Sequence, residues 1–77
     1  MMNVCLVDDQ RAVVDSLKNG IHWEKLPVDK VYTACSAREA KLILKNFPVD
    51  LLLSDIEMPE EDGISLCLWA KKEIADI

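Results

Sequence analysis

Two patterns of apolar residues alternate along the chain, and together they predict three strand–helix units. Three short runs rich in apolar residues are typical of buried strands, and they lie at 3–7, 28–34 and 51–54. After each run, apolar residues recur at helical spacing, and in the first helix they are Val13, Val14, Leu17 and Ile21. The order β-α-β-α-β-α predicts an α/β fold with a parallel sheet and right-handed crossovers.

Short polar motifs mark the ends of the predicted helices. Asn19-Gly20 stops the first helix, because glycine adopts the left-handed conformation found after many helices. Ser36 and Glu39 have the spacing of a capping box, in which each side chain bonds to the other residue's backbone amide. Pro48 ends the second helix. The third helix is predicted to begin at residue 62 or 63 and to end near residue 73.

The last third of the chain carries three further expectations. Leu51–Ser54 shows no apolar–polar alternation, which predicts a strand covered on both faces. Leu66, Leu68 and Trp69 extend the apolar surface of the third helix beyond one stripe, which predicts packing against parts outside these residues or against another chain. Glu60-Glu61 is predicted to be a solvated turn.

Composition and charge narrow the class of protein. The 77 residues are 51% hydrophobic and 30% charged, which is typical of one small globular domain. The net charge of −5 and the absence of a basic stripe argue against direct contact with nucleic acid. Three widely spaced cysteines fit neither a zinc motif nor a disulfide framework, and they favour a reducing, cytoplasmic location. No signal peptide or membrane-spanning run is found.

The candidate chemistry lies where two predicted strands end. Asp8 and Asp9 follow the first strand, and Asp55 follows the third. Ligands of open parallel sheets bind beyond the carboxyl ends of the strands, so neighbouring first and third strands would bring three carboxylates together. These charges would repel one another, and a divalent cation such as Mg²⁺ would relieve the repulsion. The alternative is that the acids only begin turns, with Asp9 capping the first helix.

Asp55 is also the best candidate nucleophile. A carboxylate can form an acyl phosphate, and Mg²⁺ would offset the charge of the incoming phosphoryl group. Alternation along the strand turns Ser54 away from the acids. His22 stands alone in a connector, so no serine–histidine–aspartate triad can be assembled.

Two segments of the chain resemble the receiver domain of two-component response regulators, the CheY-like family. Val4–Asp9 resembles the first strand and acid pair, and Leu51–Gly63 resembles the phosphoacceptor region, with its Met58-Pro59 and Asp62-Gly63 pairs. The resemblance implies a flavodoxin-like, doubly wound sheet whose first three strands have the order 2-1-3. It also implies a signalling module rather than an enzyme.

The resemblance assigns roles to individual residues. Asp55 would accept a phosphoryl group from a sensor histidine kinase. Asp9 and Asp55 would bind Mg²⁺ through their side chains, Glu57 through its backbone carbonyl, and Asp8 through a bound water.

The resemblance also marks what the sequence lacks. Residues 1–77 are expected to be the N-terminal part of a receiver domain, without the fourth and fifth strands and their Ser or Thr and Lys. Asp76-Ile77 resembles the segment before the fourth strand. Gly20–Trp23 and Val31–Ala34 resemble regulators with an AraC-type DNA-binding domain, which implies a transcriptional output.

Two further expectations concern the alternative function and the assembly. An aspartate-nucleophile phosphohydrolase of the haloacid dehalogenase class would also use Mg²⁺ and acids at strand ends. That class usually places its acids two residues apart after the first strand, whereas Asp8 and Asp9 are adjacent. The open edge of the third strand predicts a homodimer through the third strand or the third helix.

Overall fold

The computed structural model describes residues 1–74 and residue 77 and contains three strands and three α-helices. The strands are β1 (Met2–Val7), β2 (Val28–Ala34) and β3 (Leu51–Ser54). The helices are α1 (Arg11–Gly20), α2 (Ala37–Asn46) and α3 (Gly63–Glu73), and a 3₁₀ turn spans Trp23–Lys25. The predicted order of elements is confirmed. Asp76, assigned by resemblance to the segment before a fourth strand, lies outside the described residues.

The strands form one parallel sheet in the order β2-β1-β3, which confirms the predicted α/β topology. At the carboxyl end of the sheet, Val7 of β1 lies beside Ala34 of β2 and beside Ser54 of β3. All three strands therefore end at the same level. The residues that follow β1 and β3 leave the sheet side by side.

The sheet carries helices on both faces. Cys5 and Val7 of β1 belong to one buried cluster with apolar residues of α2 and α3. Val4 and Leu6 point to the opposite face because side chains alternate along a strand, and both are buried. Helix α1 contacts β1 and β2, and its Val14 is fully buried. These layers hold β1 rigidly at the centre of the molecule.

Two expectations for the last third of the chain are wrong. Leu51 and Leu53 of β3 are 37% and 45% exposed, because they share a face with Val4 and Leu6 that α1 covers over β1 and β2. Leu66 is fully buried in the cluster between α2, α3 and the sheet, and Trp69 packs against the same cluster, so both pack within this chain, whereas Leu68 is exposed.

The helix caps follow the sequence with two exceptions. Gly20 does not adopt the predicted left-handed conformation: it is the last residue of α1, and Ile21 follows it in extended backbone. The Ser36 hydroxyl accepts from the Glu39 amide at 3.1 Å, as predicted. The Glu39 carboxylate accepts from the Cys35 amide at 3.4 Å, one residue before the predicted amide. Asp62 caps α3 by accepting from the Ser65 amide at 2.8 Å. Within residues 1–74 and 77, no helix is long and apolar enough to cross a membrane.

Candidate functional site at the carboxyl end of the sheet

The structure brings the three predicted aspartates together. Carboxylate oxygens of Asp8, Asp9 and Asp55 all lie within 4.8 Å of one another. Backbone hydrogen bonds fix the segments that carry them: the Asp8 amide donates to the Ala34 carbonyl at 3.2 Å, and the Asp55 amide donates to the Val7 carbonyl at 2.9 Å. The acids therefore stand at the carboxyl ends of adjacent strands that are hydrogen-bonded to each other.

The capping alternative for Asp9 is wrong. Helix α1 begins after Gln10, whose side chain makes no capping hydrogen bond. The turn before α1 is held instead by Asp8, whose Oδ1 accepts from the Gln10 amide at 2.9 Å. That bond orients the Asp8 carboxylate. Helix capping therefore does not explain why residue 9 is an acid.

Three carboxylates at this separation repel one another. Two unit charges about 4 Å apart repel by about 1 kcal/mol in water and about 4 kcal/mol at the effective dielectric of a protein surface. A hard divalent cation relieves the repulsion, and Mg²⁺ prefers one or two carboxylates with further oxygen ligands and water. The donor set of this site, three carboxylates open to solvent on one side, fits Mg²⁺.

Glu57 lies in the loop between β3 and α3, two residues beyond Asp55, and is exposed. Within the described residues its carboxylate is not part of the three-acid cluster. The resemblance assigned only the backbone carbonyl of Glu57 to the metal, so the position of the side chain does not conflict with it. Met58 is half-buried against the core cluster and anchors the loop beside Glu57.

Gly63 closes the loop against the backbone of Asp55. The Gly63 amide donates to the Ile56 carbonyl at 2.9 Å. A Cβ at Gly63 would overlap the Asp55 carbonyl, so the first turn of α3 approaches Asp55 closely only because residue 63 has no side chain. This contact explains physically why Asp62-Gly63 accompanies the predicted phosphoacceptor.

Sequence reasoning missed one polar contact of this loop. Glu61, predicted to be solvated, accepts from Lys41 of α2 at 2.7 Å, and both side chains are about three-quarters buried. The two residues are 20 positions apart on different elements, so no spacing rule links them. Only the neighbouring bond, in which the Ser65 hydroxyl donates to Glu61 at 3.1 Å, has a spacing that sequence could have suggested.

The remaining candidate nucleophiles play structural parts. The Ser54 hydroxyl donates to the Asp55 carbonyl at 3.0 Å, which leaves its oxygen engaged with the backbone. His22 is exposed and contacts Glu24 at 3.1 Å. The three cysteines are free, and burial raises the pKa of the Cys5 thiol to about 12, so Cys5 is an inert core residue.

Comparisons with known proteins agree with this geometry. The model of the response regulator receiver domain family matches residues 4–76. The transcriptional regulatory protein NatR of Bacillus subtilis is 39% identical over 77 residues, which are 100% of this chain and 33% of NatR. A two-component transcriptional regulator AraC from Clostridium phytofermentans has a crystal structure with a TM-score of 0.90 and 32% identity, covering 95% of this chain and 57% of that one.

A second solved structure is that of the MaeR response regulator bound to beryllium trifluoride. It matches with a TM-score of 0.80 and 26% identity over 94% of this chain and 58% of that one. The chain spans only about a quarter to a third of the length of the curated relatives it matches, 26% and 33% in two of them. None of these matches favours the haloacid dehalogenase alternative. The chain belongs to the response regulator receiver domain family.

Proposed function

We propose that this chain is a phosphoacceptor signalling module in which Asp55 receives a phosphoryl group from a sensor histidine kinase. The observation that carries the proposal is the convergence of Asp8, Asp9 and Asp55 within 4.8 Å at the carboxyl ends of adjacent strands. Membership of the receiver family supports the same function. One phosphorylation per chain is expected, rather than steady turnover of a phosphate ester.

The Asp55 carboxylate acts as the nucleophile. One of its oxygens attacks phosphorus, the phosphorus–nitrogen bond to the kinase histidine breaks, and the released imidazole nitrogen keeps its electron pair and takes a proton. The hydrogen bond from the Asp55 amide to the Val7 carbonyl holds the nucleophile at the strand end. Asp55 therefore loses little orientational freedom when the phosphoryl donor binds.

Asp9, Asp55 and the Glu57 carbonyl are the residues that would hold Mg²⁺, with Asp8 bonded to a metal-bound water. When bound, the cation supplies charge neutralisation for the transferring phosphoryl group. Asp8 is already oriented by the Gln10 amide, and Asp55 is held by the bond from its amide to Val7 at the end of β1. The chain therefore meets the metal with its acidic ligands largely in place.

The wider setting belongs to the proposal as well. We place the module in the cytoplasm, where a histidine kinase donates the phosphoryl group. The names of NatR and the Clostridium regulator support a transcriptional output through another domain of the whole protein. With a net charge of −5, this segment itself is not expected to contact DNA.

Magnesium titration tests the metal site. We expect Asp9→Asn and Asp55→Asn each to weaken Mg²⁺ binding at least about tenfold, because each removes a charged oxygen ligand. Calorimetric titration of the purified protein measures the dissociation constant. Asp29→Asn is the matched control, since it removes the same charge from an exposed residue near the amino end of β2. Equal affinity in all four proteins would refute the metal site.

We also propose that the 77-residue chain pairs with a second copy through β3. This strand has a neighbour only on its β1 side among the described residues, so its other edge exposes unpaired backbone groups. Apolar hollows of about 260 and 210 Å³ run along β3 and α3, and Leu53 and Leu68 are 45% and 67% exposed. A two-fold dimer would satisfy both edges at once, with the strands antiparallel at the junction.

Sedimentation at micromolar concentration measures the assembly of this chain. We expect the mass of a dimer, and we expect Leu53→Lys to be monomeric because a charge on the β3 edge opposes strand pairing. Leu42→Lys places the same charge at an exposed leucine of α2, which is not part of the β3 edge, and should remain dimeric. A folded wild-type monomer would contradict the proposal, and a dimer unaffected by Leu53→Lys would favour helix α3 as the interface.

A further inference from the structure

The loop that follows Asp55 is tied to two helices by a single carboxylate. One oxygen of Glu61 accepts from the Lys41 ammonium of α2 at 2.7 Å, and the other accepts from the Ser65 hydroxyl of α3 at 3.1 Å. Both partners of the ion pair are shielded, with side chains 28% and 26% exposed, so the attraction is screened less than at an open surface. The hydrogen bond from Lys41 lowers the pKa of Glu61, which stays charged at neutral pH.

The Lys41 side chain is itself held in place. Its ammonium lies 5.2 Å from the centre of the Trp69 ring, which is within the range of a cation–π contact. Lys45 lies 5.7 Å from the same ring on the same helix, but it has no ion pair within the described residues. The two lysines therefore share the contact with Trp69, but only Lys41 reaches the loop.

The part of the loop that Glu61 belongs to is strained. Glu60 has φ of 69°, in the left-handed region that residues with a side chain rarely adopt. The Glu61 amide donates to the Pro59 carbonyl at 2.7 Å, across Glu60. A hydrogen bond between residues two positions apart, with a positive φ at the residue between them, is typical of the rarer, strained form of γ-turn. Such a conformation persists only where the surrounding structure holds it.

The strained turn lies inside a loop whose two ends are fixed at the phosphoacceptor. Asp55 is bonded to Val7 at the start of the loop, and Gly63 is bonded to Ile56 at its end. Glu57, whose carbonyl faces the metal in the proposed function, lies between these anchors and the turn. Within residues 1–74 and 77, Lys41 is the one side chain outside the loop and α3 that bonds to the strained turn at 59–61.

We propose that Lys41 and Glu61 are positioning residues for the metal site: their ion pair holds the strained turn and, through it, the loop that carries the Glu57 carbonyl. The inference rests on the proposed function, because it assumes that Mg²⁺ binds at the aspartates. Loss of the pair would let the turn relax and shift the segment that carries the Glu57 carbonyl, two residues beyond Asp55. The metal site would then form only after the loop is ordered again, and the affinity for Mg²⁺ would fall.

Magnesium affinity of Lys41 variants tests the proposal. We expect Lys41→Met to raise the Mg²⁺ dissociation constant about three- to tenfold, within or just below the range seen when residues that support metal ligands are removed. Lys45→Met is the matched control, because it removes the other lysine over Trp69 and leaves the Glu61 pair intact. Its dissociation constant should stay within about twofold of wild type. Lys41→Arg, which keeps the charge and the donors, should recover most of the affinity.

The role of the pair is separated from a general effect on stability by two further measurements. Glu61→Gln should weaken Mg²⁺ binding like Lys41→Met, and the double variant should be no weaker than either single one, because all three lack the same ion pair. Thermal unfolding in the presence of a chelator gives the stability of each protein without metal. A merely structural role would lower the melting temperature and leave the dissociation constant unchanged. Glu61→Gln decides the case if Lys41→Met does not fold.

Each outcome bears on one proposal or on both. If Asp9→Asn and Asp55→Asn weaken Mg²⁺ binding while Lys41→Met and Glu61→Gln bind as wild type does, the positioning role is overturned and the proposed function stands. If the aspartate variants bind Mg²⁺ as tightly as wild type, the metal site itself is wrong, and the positioning role falls with it. Equal weakening in Lys41→Met and Lys45→Met would also overturn the inference, because the Glu61 pair would then not be the cause.

Discussion

Asp55→Asn is expected to abolish phosphorylation of the whole protein. The amide of asparagine is not a nucleophile, so no acyl phosphate can form at this position. A histidine kinase or a small acyl phosphate serves as the donor, and the bound label is identified as an acyl phosphate by its release with hydroxylamine. The expected stoichiometry falls from one phosphoryl group per chain towards zero.

Ser54→Ala is the control for this experiment, because Ser54 carries the nearest hydroxyl in sequence. Its oxygen is engaged with the Asp55 carbonyl, so its loss should leave the hydroxylamine-sensitive label in place. A label retained at wild-type stoichiometry in Asp55→Asn would mean that another residue is the acceptor. A label lost in both variants would point to a loop disturbed around residue 55 rather than to the nucleophile.

The convergence of the acids was predictable because it follows from where the strands end and from the order of the strands. Apolar runs located β1 and β3 to within a residue, and parallel strands place their carboxyl ends at one edge. That Val7 and Ser54 are neighbours depended on the order of the strands, which came from the family resemblance and not from the residues. Local pattern and family together therefore sufficed for Asp8, Asp9 and Asp55.

Whether an apolar residue lies on the buried or the exposed face of its element was less predictable than the element itself. An unbroken run of leucines in β3 suggested cover on both faces, but helix α1 covers β1 and β2 and leaves Leu51 and Leu53 exposed. Helix α3 is apolar almost all round, so its sequence does not define which side is buried. Tertiary packing alone decides that Leu66 lies inside and Leu68 outside.

The ion pair between Lys41 and Glu61 could not be predicted from the sequence for a different reason. Acidic residues in a turn are usually solvated, and apart from Ser65 four positions later nothing local distinguishes Glu61 from Glu60 beside it. The distinction arises because α2 packs next to α3 and brings Lys41 over the loop. Contacts between elements distant in sequence form only in the folded chain, and one of them reaches the site.

Leu66→Ala is expected to destabilise the fold strongly, with a loss of about 2–5 kcal/mol in the free energy of unfolding. Leu66 is fully buried beside Cys5, Val7 and Ala70, so truncation leaves a cavity that the rigid sheet cannot collapse into. A domain of 77 residues is typically stable by about 4–12 kcal/mol, so the loss is a large share of the total.

Urea unfolding of three variants measures this effect. Leu42→Ala removes the same atoms from α2, where the side chain is 57% exposed, and should change the free energy of unfolding by no more than about 0.5 kcal/mol. Leu66→Met keeps the volume of the side chain and should lose less than about 1.5 kcal/mol, which provides a folded variant if Leu66→Ala has no native state. Equal stabilities of Leu66→Ala and Leu42→Ala would contradict the buried position of Leu66, and α3 would then present Leu66 outwards as its sequence first suggested.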